Sequence, residues 1–484
     1  MDSETPPLQP IVPAYHVRIL DDAQLDTLQA ATLEILERTG IHCPSEKALK
    51  IYAEHGGQVD FAHQIVKLPA QVVLEAMSHA PRFYTMGARQ PAFDLVLDGK
   101  MMYCATDGCG VETIDFTTRQ RRSSRKADVA DMARVCDALS AIGFYWPIVS
   151  AADFPKTAPL HEIDAAFNNT IKHIQSETIM GEWTAHYAIE MADVVAGDEQ
   201  VRRQRPPLSL LICSIAPLAQ DKEGLESALM FAEAGLPVGF MSMANTGSTA
   251  PATLTGTLVI ADAEIISALV LMQMACPGAP IFHSMMPGVM HPRTGDYLSS
   301  TLESSSFYPL GTEIAHHWGV PTLAGVFGTD AMVPGWQSAA EAESSLLLCA
   351  LTGAETGSGL GLVESCMLLY PEAVMLDADV YHRVRNETAG LDTSPEALAL
   401  DVIKEVGPRG HFLAHRHTRT HLRQRQFSQL TSQPSPGGTI RDPVEVAREK
   451  VEWLLANHHP QPLQEVQKSE LTRILNTADR EKNQ

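Results

Sequence analysis

Residues 235–247 read GLPVGFMSMANTG and residues 277–288 read PGAPIFHSMMPG. In each, a glycine stands where a helix stops, a proline opens a short apolar run, and small or polar residues close it. Glycine takes the left-handed conformation without a Cβ penalty, and a proline two residues on cannot continue the helix. The same kind of run recurs at 321–328, PTLAGVFG. Working outward, apolar runs at 143–150, 173–180, 209–215, 237–243, 280–286, 321–328 and, less clearly, 354–361 and 373–378 alternate with helical patterns at 161–172, 183–196, 222–234, 253–274, 301–318 and 338–351. Eight strand–helix units in about 240 residues predict an α/β fold, a (β/α)8 TIM barrel. An open doubly wound sheet is the rival architecture, but no Gly-x-Gly-x-x-Gly follows the first run.

The barrel is expected over 140–385. Residues 1–139 open with a helix carrying Leu25, Leu28, Ala31, Leu33, Ile35 and Leu36, stopped by Gly40, and a second short helix at 45–55. β-forming segments follow at 57–68, 82–88, 93–97, 101–105 and 110–115. Asp98-Gly99 and Asp107-Gly108 lie between them as hairpin signals, which predicts a small antiparallel sheet. Residues 386–484 predict a helical extension, with amphipathic helices at 444–456 and 471–479 and a Pro/Gly/Ser break at 433–438.

Lys plus Arg number 36 against 58 Asp plus Glu, a net charge of −22. That argues against sequence-independent nucleic-acid binding and suits a cationic or neutral small substrate. No basic start precedes an apolar segment at 1–15, and no uninterrupted apolar run reaches the ~18 residues of a membrane span. The eight cysteines form no Cys-x-x-Cys pair. A zinc framework is not expected, and a reducing cytoplasm is.

In a TIM barrel the site lies at the C-terminal ends of the strands. The residues expected there include Ser150, Asp153, Glu182, Trp183, Ser214, Met243, Asn245, Thr246, Gly247, Met286, Gly288, Thr329, Asp330, Met332, Gly357, Ser358 and Gly359. Few His or acidic groups converge, so no metal centre is expected. Tyr145, Trp146, Trp183, Tyr297, Phe327 and Trp336 lie nearby. An aromatic cage holds a quaternary ammonium, which donates no hydrogen bond; each ring also suits ordinary core packing. His411, His415, His417 and His421 include helical i, i+4 spacings, but Arg409, Arg416, Arg419, Arg423 and Arg425 interleave with them. A docking surface or a solvated basic segment fits better than a metal.

The run from Gly247 through Thr249, Ala250, Pro251, Thr253 and Leu254 to Gly256 continues in Ala263-Glu264, Gln273, Pro277-Gly278-Ala279-Pro280, Arg293-Thr294-Gly295, Glu303, Gly328-Thr329-Asp330, Gln337 and Glu341. This series resembles the trimethylamine methyltransferase superfamily over residues 20–425. The resemblance implies a (β/α)8 barrel that moves a methyl group from an amine to the Co(I) of a cobalamin carried on a small corrinoid-binding protein. The founding members carry pyrrolysine near the Thr-Asp motif. Here residues 329–337 are all standard, as in the non-pyrrolysine branch, whose members demethylate quaternary amines such as glycine betaine, proline betaine or carnitine.

The chemistry agrees. A quaternary ammonium already carries the charge that makes it a methyl donor, so the protein has mainly to hold and orient it. On this reading Trp146, Trp183, Asn245, Thr246, His283, Tyr297, Phe327 and Trp336 bind substrate, with Arg293 and His316 as further donors to a carboxylate. Gly247, Met286, Thr329, Gly357, Ser358 and Gly359 lie under the corrinoid. Cobalt is the nucleophile, and Asp330 is the one candidate catalytic side chain, or else a helix cap. Glu264 is either a substrate contact or a buried partner. The alternative is a small-molecule-binding or diverged barrel that transfers no methyl group. A homo-oligomer is expected because the helix at 253–274 is apolar on more than one face.

Overall fold

A computed structural model describes residues 4–483 apart from 302, 425, 426, 429 and 432–436. The break at 433–438 therefore lies largely outside the described residues. Eight parallel strands close into a barrel: β1 (Tyr103–Thr106), β2 (Ile142–Tyr145), β3 (His173–Ser176), β4 (Leu208–Cys213), β5 (Val238–Ser242), β6 (Ile281–Met285), β7 (Thr322–Gly325) and β8 (Thr356–Leu360), with β8 paired to β1 at the seam. Each strand is followed by a helix: α1 (Lys126–Asp137), α2 (Ala158–Asn169), α3 (Glu182–Ala196), α4 (Lys222–Ala234), α5 (Leu254–Ala275), α6 (Phe307–His317), α7 (Trp336–Thr352) and α8 (Pro371–Thr388).

Seven strands lie where the apolar runs place them. The eighth does not. Residues 373–378 belong to α8, and the missing strand is β1, from the segment expected in the antiparallel sheet. The barrel therefore begins well before residue 140. An Asp-Gly pair marks a turn, and here the turn after β1 is a βα loop rather than a hairpin.

Alternation along the strands sorts side chains into two layers. Tyr103, Ala105, Phe144, Trp146, Leu211, Met241, Phe282 and Leu323 form one cluster inside the barrel. Ile142, Ile174, Leu210, Val238, Phe240, Ile281 and Met285 face the helices in the main core. A two-stranded hairpin, Tyr84–Met86 with Leu95–Leu97, plugs the lower end through Met86, Leu95 and Leu97. His173 locks it from inside: Nδ1–H donates to the Gly87 carbonyl at 2.8 Å, and Nε2 accepts from the Ser209 hydroxyl at 2.9 Å.

Burial holds the His173 imidazole pKa down at about 4. The unfolded chain therefore takes up this proton first as pH falls. The stability this residue contributes is complete above about pH 6.5 and is lost toward pH 4, about 3 kcal/mol in all. Urea unfolding across that range should show the loss, and His173→Gln should flatten it.

The helix α5 is long and apolar enough to cross a membrane by length and composition, yet 83% of its apolar window is buried within the fold. Helices Asp22–Glu34, Glu46–Glu54 and Ala70–Met77 cover its outer side. Tyr52 donates to the Ser267 carbonyl at 2.9 Å and Thr32 to Asp262 at 2.7 Å. The apolar face that suggested a subunit contact is thus covered by the chain's own N-terminal segment. At the other terminus, helix Pro443–Asn457 packs on α8 and α1, and helix Glu465–Asn483 packs on α3 and α2.

Candidate active site

The strand ends deliver their side chains to one funnel. β1 runs into Asp107, Gly108 and Cys109, β2 into Trp146, β3 into Glu177, and β8 into a turn carrying Cys366. The β6 loop returns Tyr297, and α6 adds Tyr308. Cys109, Glu177, Cys213, Tyr297, Tyr308 and Cys366 all feel the charge of Asp107, Asp330 or each other.

Gly108 lies flat on the Trp146 indole: a Cβ there would sit 1.7 Å from Nε1. Gly288 lies under the Tyr297 ring in the same way, and the Tyr297 hydroxyl donates to the Met286 carbonyl at 2.7 Å. Asp107 accepts from the Gly108 N–H at 2.7 Å and the Cys109 thiol at 3.0 Å. Burial, with Asp107 and Glu162 nearby, pushes the Glu177 carboxyl up to about 8. Among the described residues neither Asp107 nor Glu177 has an ion-pair partner. Asp107 thus faces the funnel with no cation beside it among the described residues, and Glu177, neutral below about pH 8, becomes a second anion when a cation comes to it.

The rim is braced from behind. Carboxylates in the helix layer, three of them buried, reach back to the loops that follow the strands. Glu162 of α2 accepts from Ser150, the Ala151 N–H and Thr178. Glu264 of α5 accepts from Ser214 at 2.6 Å, Ser242 at 2.7 Å and the Leu218 N–H at 2.8 Å. Glu341 of α7 accepts from Thr329, and Asp377 of α8 from the Gly361 N–H. Glu264→Ala would strip the Ser242 hydroxyl and the Leu218 amide of their acceptor and leave Ser214 only its 3.3 Å bond to the Met241 carbonyl, with an expected cost of about 3 kcal/mol. Urea denaturation measures it, and Glu264→Gln should recover part.

The trimethylamine methyltransferase (MTTB) family matches residues 3–482. The chain belongs to this family. It is a methyltransferase. It is 31% identical over 449 residues to a trimethylamine methyltransferase of Desulfitobacterium hafniense, covering 92% of this chain and 90% of the relative. A glycine betaine methyltransferase of the same species is 27% identical over 460 residues, covering 94% and 95%. The crystal structure of the Methanosarcina barkeri monomethylamine methyltransferase superposes with a TM-score of 0.51 at 12% identity, covering 98% of this chain and 89% of that one, and so shares the fold.

In this methyltransferase the funnel gathers some of the expected residues and not others. Trp146, Tyr297 and Asp330 are there. Asn245 stands on the rim, in a short strand after β5, and its Oδ1 is buried without a partner. Gly247 turns beside it, exposed, at φ 90°.

Asp330 is not a free acid. It accepts from the Ser299 and Ser300 N–H groups and from the Ser299 and Ser365 hydroxyls, at 2.8–3.0 Å, so it ties the β6 and β8 loops together. Thr329 is engaged by Glu341. Thr246 pairs with Thr257 of α5 at 2.9 Å. Met286 packs on Gly325 and gives its carbonyl to Tyr297.

His283 has the parity of Ile281 and Met285, so it points away from the barrel interior and meets Asp262 at 3.1 Å. His316 pairs with Glu355 at the lower end of the barrel. Phe327 is 1% exposed, in the main core. Trp183 is covered by the C-terminal helix: its Nε1 donates to Glu481 at 3.0 Å, and the Lys482 ammonium lies 4.3 Å from the ring centroid. Trp336, 85% exposed, stands outside the funnel beside Leu376 and Val380. Gly357, Ser358 and Gly359 are buried in the barrel wall. A Cβ on Gly357 would strike Met102, and one on Gly359 would lie 2.9 Å from the Gly328 nitrogen, so these glycines serve strand packing.

Sequence reasoning missed Asp107, Cys109, Glu177, Cys213, Tyr308 and Cys366. The signal for the first two was polar residues directly after the run Met102-Tyr103-Cys104-Ala105. For Glu177 it was the early end of β3 at Ser176.

Proposed function

We propose that this methyltransferase demethylates a quaternary amine, with glycine betaine the first candidate, and passes the methyl group to the cobalamin of a small corrinoid protein. The observation that carries the reading is the pair of carboxylates, Asp107 and Glu177, unpaired beside Trp146 in the funnel. A cation with no N–H groups needs charge and an aromatic face rather than hydrogen-bond acceptors. The glycine betaine relative and the standard residues at 329–337 support a quaternary over a tertiary amine.

The rim suits a corrinoid. The loops after β1, β3, β4, β5, β7 and β8 each expose a large apolar side chain: Val111, Met180, Ile215, Met243, Met332 and Met367. A ring of adaptable, methionine-rich contacts fits a broad flat macrocycle or the surface that carries it. When bound, the cofactor supplies the reduced cobalt that accepts the methyl group. The chain's own part is to hold the ammonium between Trp146 and the carboxylates and to exclude water. Leaving as a neutral amine, the product loses its attraction to the funnel.

The test is anaerobic. The protein is mixed with Co(I) cobalamin and a panel of glycine betaine, proline betaine, carnitine, choline and trimethylamine, and the visible spectrum is followed. Methylation by a quaternary donor and none by trimethylamine is expected. Methylation by trimethylamine alone, or by no donor beside a working control enzyme, would refute the reading.

A further inference from the structure

The same funnel holds two thiols that amine binding does not use, beside a carboxylate that it does. One carboxylate oxygen of Asp107 and the thiols of Cys109 and Cys366 all lie within 4.8 Å of one another. A tetrahedral zinc site with bonds near 2.3 Å needs ligand separations of about 3.8 Å, so small side-chain adjustments would close these three around an ion.

The fold converges on this set from two directions. β1 and β8 are paired at the barrel seam, so the Asp107–Cys109 loop and the Cys366 turn emerge side by side. The turn is strained. Glu364, Ser365 and Cys366 stand in the left-handed region at φ 54°, 50° and 72°, and none is glycine. The strain is held by the Glu364 and Ser365 N–H groups, which donate to the Ala331 and Thr329 carbonyls at 2.8 and 2.9 Å, and by the Ser365 hydroxyl on Asp330. Backbone strain concentrated where a side chain must be aimed is a feature of functional sites.

We propose that Asp107, Cys109 and Cys366 bind a divalent transition ion, zinc in the first instance. Two soft thiolates and one carboxylate select zinc over calcium or magnesium, which prefer all-oxygen sets. Three protein ligands leave a fourth position for an oxygen donor from the funnel, the arrangement of reactive rather than structural zinc. Binding releases the two thiol protons to solvent. Zinc with these three anionic ligands carries a single net negative charge, so the funnel still attracts a cation.

The test uses the full chain, purified anaerobically, stripped with a chelator and titrated with cobalt(II) chloride in the absence of amine and cobalamin. The expected result is a near-ultraviolet thiolate-to-cobalt absorption that saturates at equimolar ion. Zinc should displace it. Cys109→Ser and Cys366→Ser should each weaken it, and Cys213→Ser, in the funnel but outside the set, should leave it unchanged. On the unmodified protein, equimolar zinc should slow alkylation of Cys109 by iodoacetamide at least tenfold, which needs no variant to fold. Absence of the band, a band indifferent to Cys366→Ser, or a Cys109–Cys366 disulfide in the anaerobic protein would overturn the proposal. Because no methyl donor is present, any of these leaves the amine reading untouched.

Discussion

Replacing Glu177 by Gln is expected to lower kcat/KM for the quaternary amine by about 100-fold near pH 9 but only a few-fold near pH 6.5. The free protein holds this carboxyl protonated up to about 8, because burial and the neighbouring carboxylates disfavour its charge. Above that pH it is an anion, which on the proposed reading faces the substrate cation. At a separation of about 5 Å and an effective dielectric of about 20, the pair is worth about 3 kcal/mol, the origin of the 100-fold.

Near pH 6.5 only about 3% of Glu177 is ionised, so the variant has little left to lose. The wild-type profile should rise about tenfold per pH unit toward 8 and then level, and the Gln profile should lack this rise. Initial rates across pH on chelator-treated protein decide it. Calorimetry of amine binding in two buffers should show close to one proton released near pH 7. A Gln profile parallel to the wild type would remove Glu177 from the binding site.

The second large effect is expected from Gly108→Ala. The added methyl would lie 1.7–2.2 Å from Nε1, Cε2 and Cδ1 of Trp146, well inside van der Waals contact. Trp146 is 3% exposed within the packed interior of the barrel, so it cannot step aside without moving its neighbours. Overpacking of this kind costs about 1–3 kcal/mol. If Trp146 holds the ammonium as proposed, the displaced indole also withdraws its aromatic face, so activity should fall at least about tenfold beyond the stability loss. Thermal melts, tryptophan fluorescence and steady-state rates separate the two. An unchanged Tm with wild-type rates would show that Trp146 does not sit against Gly108.

The barrel was legible in the sequence because its signal is local. Gly235-Leu236-Pro237 and the apolar run after it carry a strand start whatever the rest of the chain does, and the same holds at Pro280 and Pro321. The family run from Gly247 to Gly256 was legible for the same reason. So was the acidic balance that disfavours nucleic acid.

What the tertiary structure alone decided is the site. β1 looked like a hairpin strand, because nothing local says that Tyr103–Thr106 pairs with Thr356–Leu360, some 250 residues away. Without that seam, Asp107 and Cys109 could not be seen to meet Cys366. Trp183 and His283 carried the right chemistry in the wrong surroundings. A helix from the far end of the chain covers the first, and strand parity turns the second toward α5. Residue type and periodicity specify which segments form strands and helices. Which side chains share a cavity depends on long-range pairing and on which face of each strand looks inward, and a single period-2 pattern read in isolation leaves both open.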